Sequence, residues 1–550
     1  MAYTLADLNE AIAAAVPERE AIVTTERRLT WGELRDRSRR LAHVLRAAGL
    51  GCHRERAALA PWESGQDHVA LYLYNGHEYL EAMIGSTKAR AVPFNVNYRY
   101  VEDELVYLLR DAGARAIVYH AAFAPMLARV LPKLPPPTLL LQVADGSGEP
   151  LLPGARDYEE ALAASSAAPV GVATTDDDLY IVYTGGTTGM PKGVLWRQSD
   201  IFFSAMGGRV PGQEPVTGMD DVVARTAWGE MNRMLCAPPF MHGAGHWTAF
   251  ITLHQGGTVI VQRETRRLDA DDIWRTIERE RAVSLTIVGD AFARPLLDQL
   301  RAGAYDLDCL RVIGSGGAIF SAALKHGFLE RLPGIMIADG FGASETGAQG
   351  ASFMSAGNTG GGGFTMDREH TFVVDETMTR RLPPDDPSIG WLARTGYIPL
   401  GYLGDAAKTR RTYPTIAGVR CAIPGDRARL NADGTIQVLG REAACINSGG
   451  EKIFAEEVEQ ALKRHPAVYD VLVVGTPDPR WGEQVTAVVA LRTGAGASGE
   501  ELRAAAGAEL ARYKLPRAFL FVDAVKRAPT GKPDYAWAKE LATRALPAPD

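Results

Sequence analysis

Leu179-Tyr-Ile-Val-Tyr183 runs straight into Thr184-Gly-Gly-Thr-Thr-Gly-Met-Pro-Lys-Gly-Val194. The first five residues read as a short apolar strand. Behind them, Gly185, Gly186 and Gly189 let the backbone turn tightly with its N–H groups facing outward. Thr184, Thr187 and Thr188 add hydroxyl donors, and Lys192 adds a positive charge. In chemical terms this is a phosphate cradle. The G-x-x-x-x-G-K-[ST] order is absent, so it is not a Walker A loop. A lone G-x-x-G would read as a flexible turn; so long a Gly/Thr stretch directly behind an apolar strand favours the cradle.

Upstream of the cradle, strands and helices alternate. Thr30 followed by Glu33 is a capping-box pattern that opens a helix. Trp31, Leu34, Leu41 and Leu45 lie on one side of that helix and Gly49 at its end. A strand over 69–74, a helix over 78–90, a helix over 102–112 and a strand over 116–119 follow. Downstream, strands over 258–262 and 284–288 flank a helix over 270–280. This alternation predicts an α/β fold with parallel sheets covered by helices. Residues 143–177, rich in Gly, Pro, Ala and Asp, read as a surface connection, and the Gly cluster in 356–364 as a mobile loop. There is no fixed-period repeat.

A chain of 550 residues is too long for one ordinary core. The character changes near Gly440, and roughly the last hundred residues form an α+β pattern of their own. It runs helix 455–464, strand 468–474, strand 484–491, helix 499–511 and strand 518–522. The expected division is a large domain of βα-layered subdomains over 1–440 and a small mobile domain over 441–550.

A net charge of −7 gives no sign of a general nucleic-acid binder, so phosphate binding must come from a local site. The five cysteines are scattered without a C-x-x-C pair, which argues against a disulfide framework or a zinc site. The N-terminal stretch carries acids where a signal peptide carries bases. No apolar run approaches the roughly 20 residues that span a bilayer. Cytoplasmic location without integral membrane contact is the expectation, and a homodimer is left open beside the monomer.

Six further segments complete an ordered series. They are Pro238-Pro-Phe-Met-His-Gly-Ala-Gly245, Gly314-Ser-Gly-Gly-Ala318, Asp339-Gly-Phe-Gly-Ala-Ser-Glu-Thr-Gly347, Pro424-Gly-Asp426, Gly440-Arg-Glu-Ala-Ala-Cys-Ile-Asn-Ser-Gly-Gly-Glu-Lys-Ile453 and Arg527-Ala-Pro-Thr-Gly-Lys532. Taken alone, His242 would read as a satisfied core histidine, Glu345 as a solvated loop acid and Lys532 as a solvated lysine. Together with 183–194, the series resembles the adenylate-forming (ANL) superfamily of acyl- and aryl-CoA ligases, peptide-synthetase adenylation domains and luciferase. The resemblance covers roughly residues 30–535. Gly186 departs from the Ser common near that position.

The resemblance implies ATP, Mg²⁺ and CoA. It places the ATP phosphates on Thr184–Gly189 and Lys192, with Thr187 also catalytic. Gly316, Gly317 and Ala318 pass adenine and the acyl group. In the stretch Asp339, Gly340, Phe341, Gly342 and Ser344, Phe341 stacks on adenine and Ser344 meets the α-phosphate. Glu345 holds Mg²⁺, a hard cation suited to carboxylate and phosphate oxygens. Asp426 takes the ribose hydroxyls and Arg441 the ribose or phosphate. Ser448, Gly449 and Gly450 approach the CoA arm, His242 lies near the substrate carboxylate, and Lys532 meets the carboxylate and α-phosphate. The family's usual hinge residue is replaced by Ala443, followed by Ala444.

The implied reaction joins a carboxylic acid to ATP as acyl-adenylate, releases pyrophosphate, and passes the acyl group to CoA. The details of the series are similar to actinobacterial fatty-acid and steroid side-chain ligases, which implies a bulky hydrophobic acid. Met241, Ala244, Trp247, Ser315 and Ala318 are the pocket candidates. Two other readings stand beside it: transfer to a carrier-protein phosphopantetheine, and a nucleotide-binding protein without turnover. A luciferase-like oxygenase shares the fold.

Overall fold

The computed structural model describes residues 3–186, 189–210, 213–358, 364–384, 386–448, 451–527 and 532–545. Its backbone is a mixed nine-stranded sheet. Six of the strands lie parallel in the order Met336–Ala343, Val312–Gly316, Ser284–Ile287, Arg233–Cys236, Thr258–Ile260 and Glu20–Val23. Arg28–Thr30 closes one edge antiparallel. Gly347–Met354 and Thr365–Met366 extend the other edge. Strands Thr258–Ile260 and Ser284–Ile287 are not neighbours, as consecutive βα strands usually are. Arg233–Cys236 inserts between them.

A second, parallel sheet runs Val92–Asn95, His68–Tyr72, Ala114–His120, Leu139–Val143 and Arg156–Asp157. Every residue of His68–Tyr72 is buried, as a parallel strand covered on both faces requires. Thr30 makes the expected capping box with Glu33 and opens helix Trp31–Ala47, with Gly49 left-handed at φ 77° just beyond. The helix over Ala270–Glu280 buries Ile273, Trp274 and Ile277 along one stripe.

The expectation of a plain surface connection over 143–177 is overturned. Helix Tyr158–Ala163 stands within it, capped by Asp157, and buries Tyr158 completely. The Tyr158 hydroxyl donates to Glu81 at 2.5 Å. Ala161 and Leu162 are buried with it, so this short helix packs onto the core. Of the glycine cluster over 356–364, residues 359–363 lie outside the described residues.

An antiparallel sheet of Thr371–Val374, Ile389–Arg394, Asp426–Leu430 and Ile436–Arg441 leads to the small domain. The small domain has its own core around Val458, Leu462, Val471, Val473, Val485 and Val489. Helix Ala455–Lys463 packs on strand Val468–Asp478, which pairs with Gly482–Leu491. Strand Ala518–Val522 adds parallel to Gly482–Leu491, and the hairpin Cys445–Ser448 and Glu451–Phe454 completes the sheet. The helix expected over 499–511 stops at Ala506, followed by Gly507. Among the described residues, no helix is long and apolar enough to cross a membrane.

Candidate active site

The cradle is a hairpin, not a strand ending at Tyr183. Strand Leu179–Gly186 continues past Tyr183 and returns as Gly189–Arg197, with Thr184 opposite Lys192 and Gly186 opposite Gly189. Thr187 and Thr188 lie outside the described residues. Asn95, at the end of a parallel strand, ties this hairpin to the 238–245 segment, and Asn75 fixes that segment further. Asn95 Nδ2 donates to Tyr183 O at 2.9 Å and to Met241 O at 2.7 Å, while its Oδ1 accepts from Tyr183 N at 2.7 Å. Asn75 Nδ2 donates to Pro238 O at 2.9 Å, and its Oδ1 accepts from Phe240 N at 2.6 Å. The Tyr183 hydroxyl donates to Asp111 Oδ2 at 2.9 Å. Lys192 Nζ stands 3.6 Å from Asp111 and 4.0 Å from Asp405.

Two histidines on neighbouring turns part company here. His246 is fully satisfied: Nδ1 meets Phe240 O at 2.6 Å and Nε2 meets the Tyr180 hydroxyl. Burial holds it neutral, near 4. His242, at the start of helix Gly243–Leu253, has a buried Nε2 with no protein partner among the described residues. Burial lowers it to about 3, with the Lys532 charge adding to the shift. His246 is thus the satisfied core histidine, and His242 keeps a hydrogen-bonding position for something else. Met241 is buried behind it, and Trp247 Nε1 donates to the Tyr180 hydroxyl at 2.8 Å.

Strands Val312–Gly316 and Met336–Ala343 pair with Gly316 opposite Gly340. Side-chain-free backbone therefore faces the site at this level. Gly317 adopts φ 82°, which favours glycine, and a Cβ there would lie 3.6 Å from Ala244. The 314–318 loop and the 238–245 segment therefore meet. Ser315 Oγ accepts from Gly289 N at 3.0 Å. Ala244 and Ala318 both pack against the same cluster.

Beyond Gly340, Phe341 packs 5.4 Å from Phe364. Gly342 serves the backbone: a Cβ there would come 2.1 Å from Gly347 O. Asp339 is buried and accepts an ion-paired hydrogen bond from Lys325 at 2.6 Å. Burial raises its carboxyl, and Lys325 partly offsets that. Trp196 Nε1 holds Ser344 O at 3.0 Å, and the Tyr402 hydroxyl donates to Glu345 Oε1 at 3.0 Å.

The last members come from the chain's end. Asp426 pairs with Arg441 across their strands, Nε to Oδ1 at 3.2 Å. Lys532 stands in this charged cleft. Its side chain is exposed, yet the surrounding protein is dense enough to depress its ammonium. Desolvation is the main cause and Arg441 adds to it, while Glu345 and Asp426 oppose. Lys532, Glu345, Asp426, Arg441 and His242 thus act on one another electrostatically. Ser448 is buried in the small-domain sheet, paired with Glu451 and Gly482; Gly449 and Gly450 lie outside the described residues.

Sequence reasoning missed Asn75, Asn95, Asp405, Tyr402 and Lys408. Lys408 Nζ sits 4.1 Å over the Tyr402 ring, and Glu345 counteracts its desolvation. A signal existed for part of this set in Gly401-Tyr-Leu-Gly-Asp405, whose Asp caps the following helix. The asparagines carry no local signal, because their partners are distant in the chain.

The chain matches the AMP-binding enzyme family over residues 9–402 and the AMP-binding enzyme C-terminal domain over 457–532. It is 51% identical to the medium-chain acyl-CoA ligase Mig of Mycobacterium avium over 542 residues, 98% of each chain. It is 43% identical to a 3-oxocholest-4-en-26-oate–CoA ligase of Rhodococcus rhodochrous over 555 aligned positions, 98% of this chain and 96% of that one. In fold it is similar to the anthranilate CoA ligase AuaEII in complex with anthranoyl-AMP, with a TM-score of 0.80, 22% identity and 99% of each chain covered. The ordered motifs, the paired domains and these relatives agree: the chain belongs to the AMP-binding enzyme family.

Proposed function

We propose that this protein is an ATP-dependent acid–CoA ligase acting on bulky hydrophobic carboxylic acids, of the fatty or steroid side-chain kind. The observation that carries the reading is the convergence of Lys532, from the small domain, with Arg441 at the domain boundary and with Glu345, Asp426 and His242 of the large domain. The relatives' names support the acid class, and Ala244, Gly317 and Ala318 offer small side chains where a large acyl group needs room.

In the first half-reaction a carboxylate oxygen attacks the α-phosphorus of ATP and pyrophosphate leaves. Positioning and neutralisation of charge dominate such transfers. The hairpin tip and Lys192 take the phosphates, Asp426 and Arg441 the ribose side, and Phe341 the adenine face. The neutral His242 ring, with Nε2 unpartnered, offers the carboxylate a hydrogen bond. Glu345 is the residue to hold Mg²⁺, since one carboxylate plus phosphate oxygens is a donor set this ion favours. The ion would neutralise phosphate charge. Lys532 stabilises the charge developing at the α-phosphate. In the second half-reaction the CoA thiol attacks the acyl-adenylate carbonyl, loses its proton, and AMP leaves. Between the two, the small domain turns about the 441–444 segment, withdrawing Lys532 and presenting Ser448.

The test is pyrophosphate release over short, long, aromatic and steroid carboxylic acids, with and without CoA. Release with hydrophobic acids and acyl-CoA formation when CoA is present is the expected result. AMP release with a carrier protein but no acyl-CoA with free CoA overturns the choice of acceptor. No release with any acid overturns the reading.

A further inference from the structure

A run of alternating charges crosses between the two domains, away from the nucleotide cleft. Asp290 lies in the first turn of helix Gly289–Ala302 in the large domain, where its Oδ1 accepts from Ser321 N at 2.7 Å. Lys463 ends helix Ala455–Lys463 in the small domain and donates from Nζ to Asp290 Oδ2 at 3.2 Å. Each of these side chains is only 4% exposed. Lys463 also stands 3.6 Å from Asp470, whose two oxygens accept from Arg527 Nε and Nη2, both at 2.7 Å. Arg527 in turn bridges through its backbone to Pro533, the residue after Lys532. Beside this run, Arg294 of the large domain lies 4.6 Å over the Tyr469 ring of the small one.

The run therefore connects a fixed point of the large domain to the root of the segment that carries Lys532. The Asp290–Lys463 pair joins the two domains, so the turn of the small domain proposed above would separate it. Separated, both groups would return to water or to other partners. An interaction made in one arrangement and absent in the other biases the population toward the first. We infer that Asp290, Lys463, Asp470 and Arg527 form a latch that holds the small domain where Lys532 faces the nucleotide, making Asp290 and Lys463 positioning residues for the adenylate-forming half-reaction. The inference rests on the two-step reading given above.

The half-reactions are measured separately: pyrophosphate release from acid and ATP, and acyl-CoA formation from supplied acyl-adenylate and CoA. Asp290→Asn keeps the acceptor for Ser321 N and leaves Lys463 beside Asp470 while withdrawing the charge 4.0 Å from Arg294, so its denaturant midpoint is measured beside the rates. It should slow pyrophosphate release about tenfold and leave thioester formation within about twofold. Lys463→Met should do the same, the double variant should be no slower than either single one, and Lys463→Arg should restore the rate. A purely structural role would slow both halves together. Equal loss in both halves, or no loss in either, overturns the latch while wild type remains active. A wild type silent in both halves overturns the ligase reading, and the latch with it.

Discussion

On the large-domain side of the cleft, Asn75 and Asn95 make five buried hydrogen bonds; those of Asn95 tie the hairpin to Met241, and those of Asn75 hold Pro238 and Phe240. On the small-domain side, Lys532 is brought in by a domain whose contacts with the other include the charged pair Asp290–Lys463 and the Arg294–Tyr469 stack. The difference is one of reversibility. Buried neutral hydrogen bonds to backbone leave unsatisfied groups wherever they are broken, so that wall stays put. Charged groups regain hydration when they separate, so a domain held by them can leave. On the proposed two-step reaction, the site combines a fixed wall with a lysine that withdraws.

The sharpest way to break this contrast is Lys532→Ala. A positive charge about 4 Å from a developing negative one is worth on the order of 4 kcal/mol at an effective dielectric near 20. Adenylation should fall about a thousandfold at about 1.36 kcal/mol per decade, with thioester formation from supplied acyl-adenylate nearly intact. Equal loss in both steps, measured by pyrophosphate and acyl-CoA release, removes the lysine from its role.

Asn95→Ala attacks the fixed wall, so its signature should be the opposite. Both half-reactions should drop together, by about a hundredfold if the hairpin shifts by about 1 Å. Stability in denaturant titration should also fall, by about 2–4 kcal/mol for the backbone groups left unpaired. A variant that loses only adenylation would show that this wall moves too. The Asp290→Asn latch variant, about tenfold slower in adenylation alone, falls below these in size.

The smallest effects are in acid response, where the two regions have opposite signs. His242, His246 and His254 are held at about 3, 4 and 4 by burial, below the usual 6.5. Between those values the unfolded chain binds the extra protons, so the large domain loses stability as pH falls below about 6.5. In the small domain, burial raises Glu456 and Glu459 from 4.5 to about 7. There the native chain holds the extra protons, so that contribution is complete at low pH and is lost as pH rises toward 7. Glu459→Gln should therefore gain stability over wild type between pH 5 and 7, by at most about 1.4 kcal/mol per pH unit. A constant difference across that range, by denaturant titration, removes Glu459 from the account.

Much of the fold was legible because its signals are local. The capping box at Thr30 and Glu33, the amphipathic stripe of Ala270–Glu280 and strand Ala518–Val522 depend on neighbours in sequence. Helix Tyr158–Ala163 was not, because the core that buries Tyr158, Ala161 and Leu162, Glu81 among its partners, is distant in the chain. The same division runs through the site. Gly-rich backbone at 184–189 and 314–318, and the types of Glu345, Asp426 and Lys532, were readable as chemistry.

By itself the sequence determined which chemical groups the protein carries and in what order, since glycine placement and charge are properties of the residues. Tertiary structure alone decided which of His242 and His246 has a nitrogen to spare. It also decided that Lys325 takes Asp339, and that Asn95 reaches Tyr183. Those outcomes depend on which partners burial brings within hydrogen-bonding distance, and residues 88 positions apart carry no mark of that in the chain.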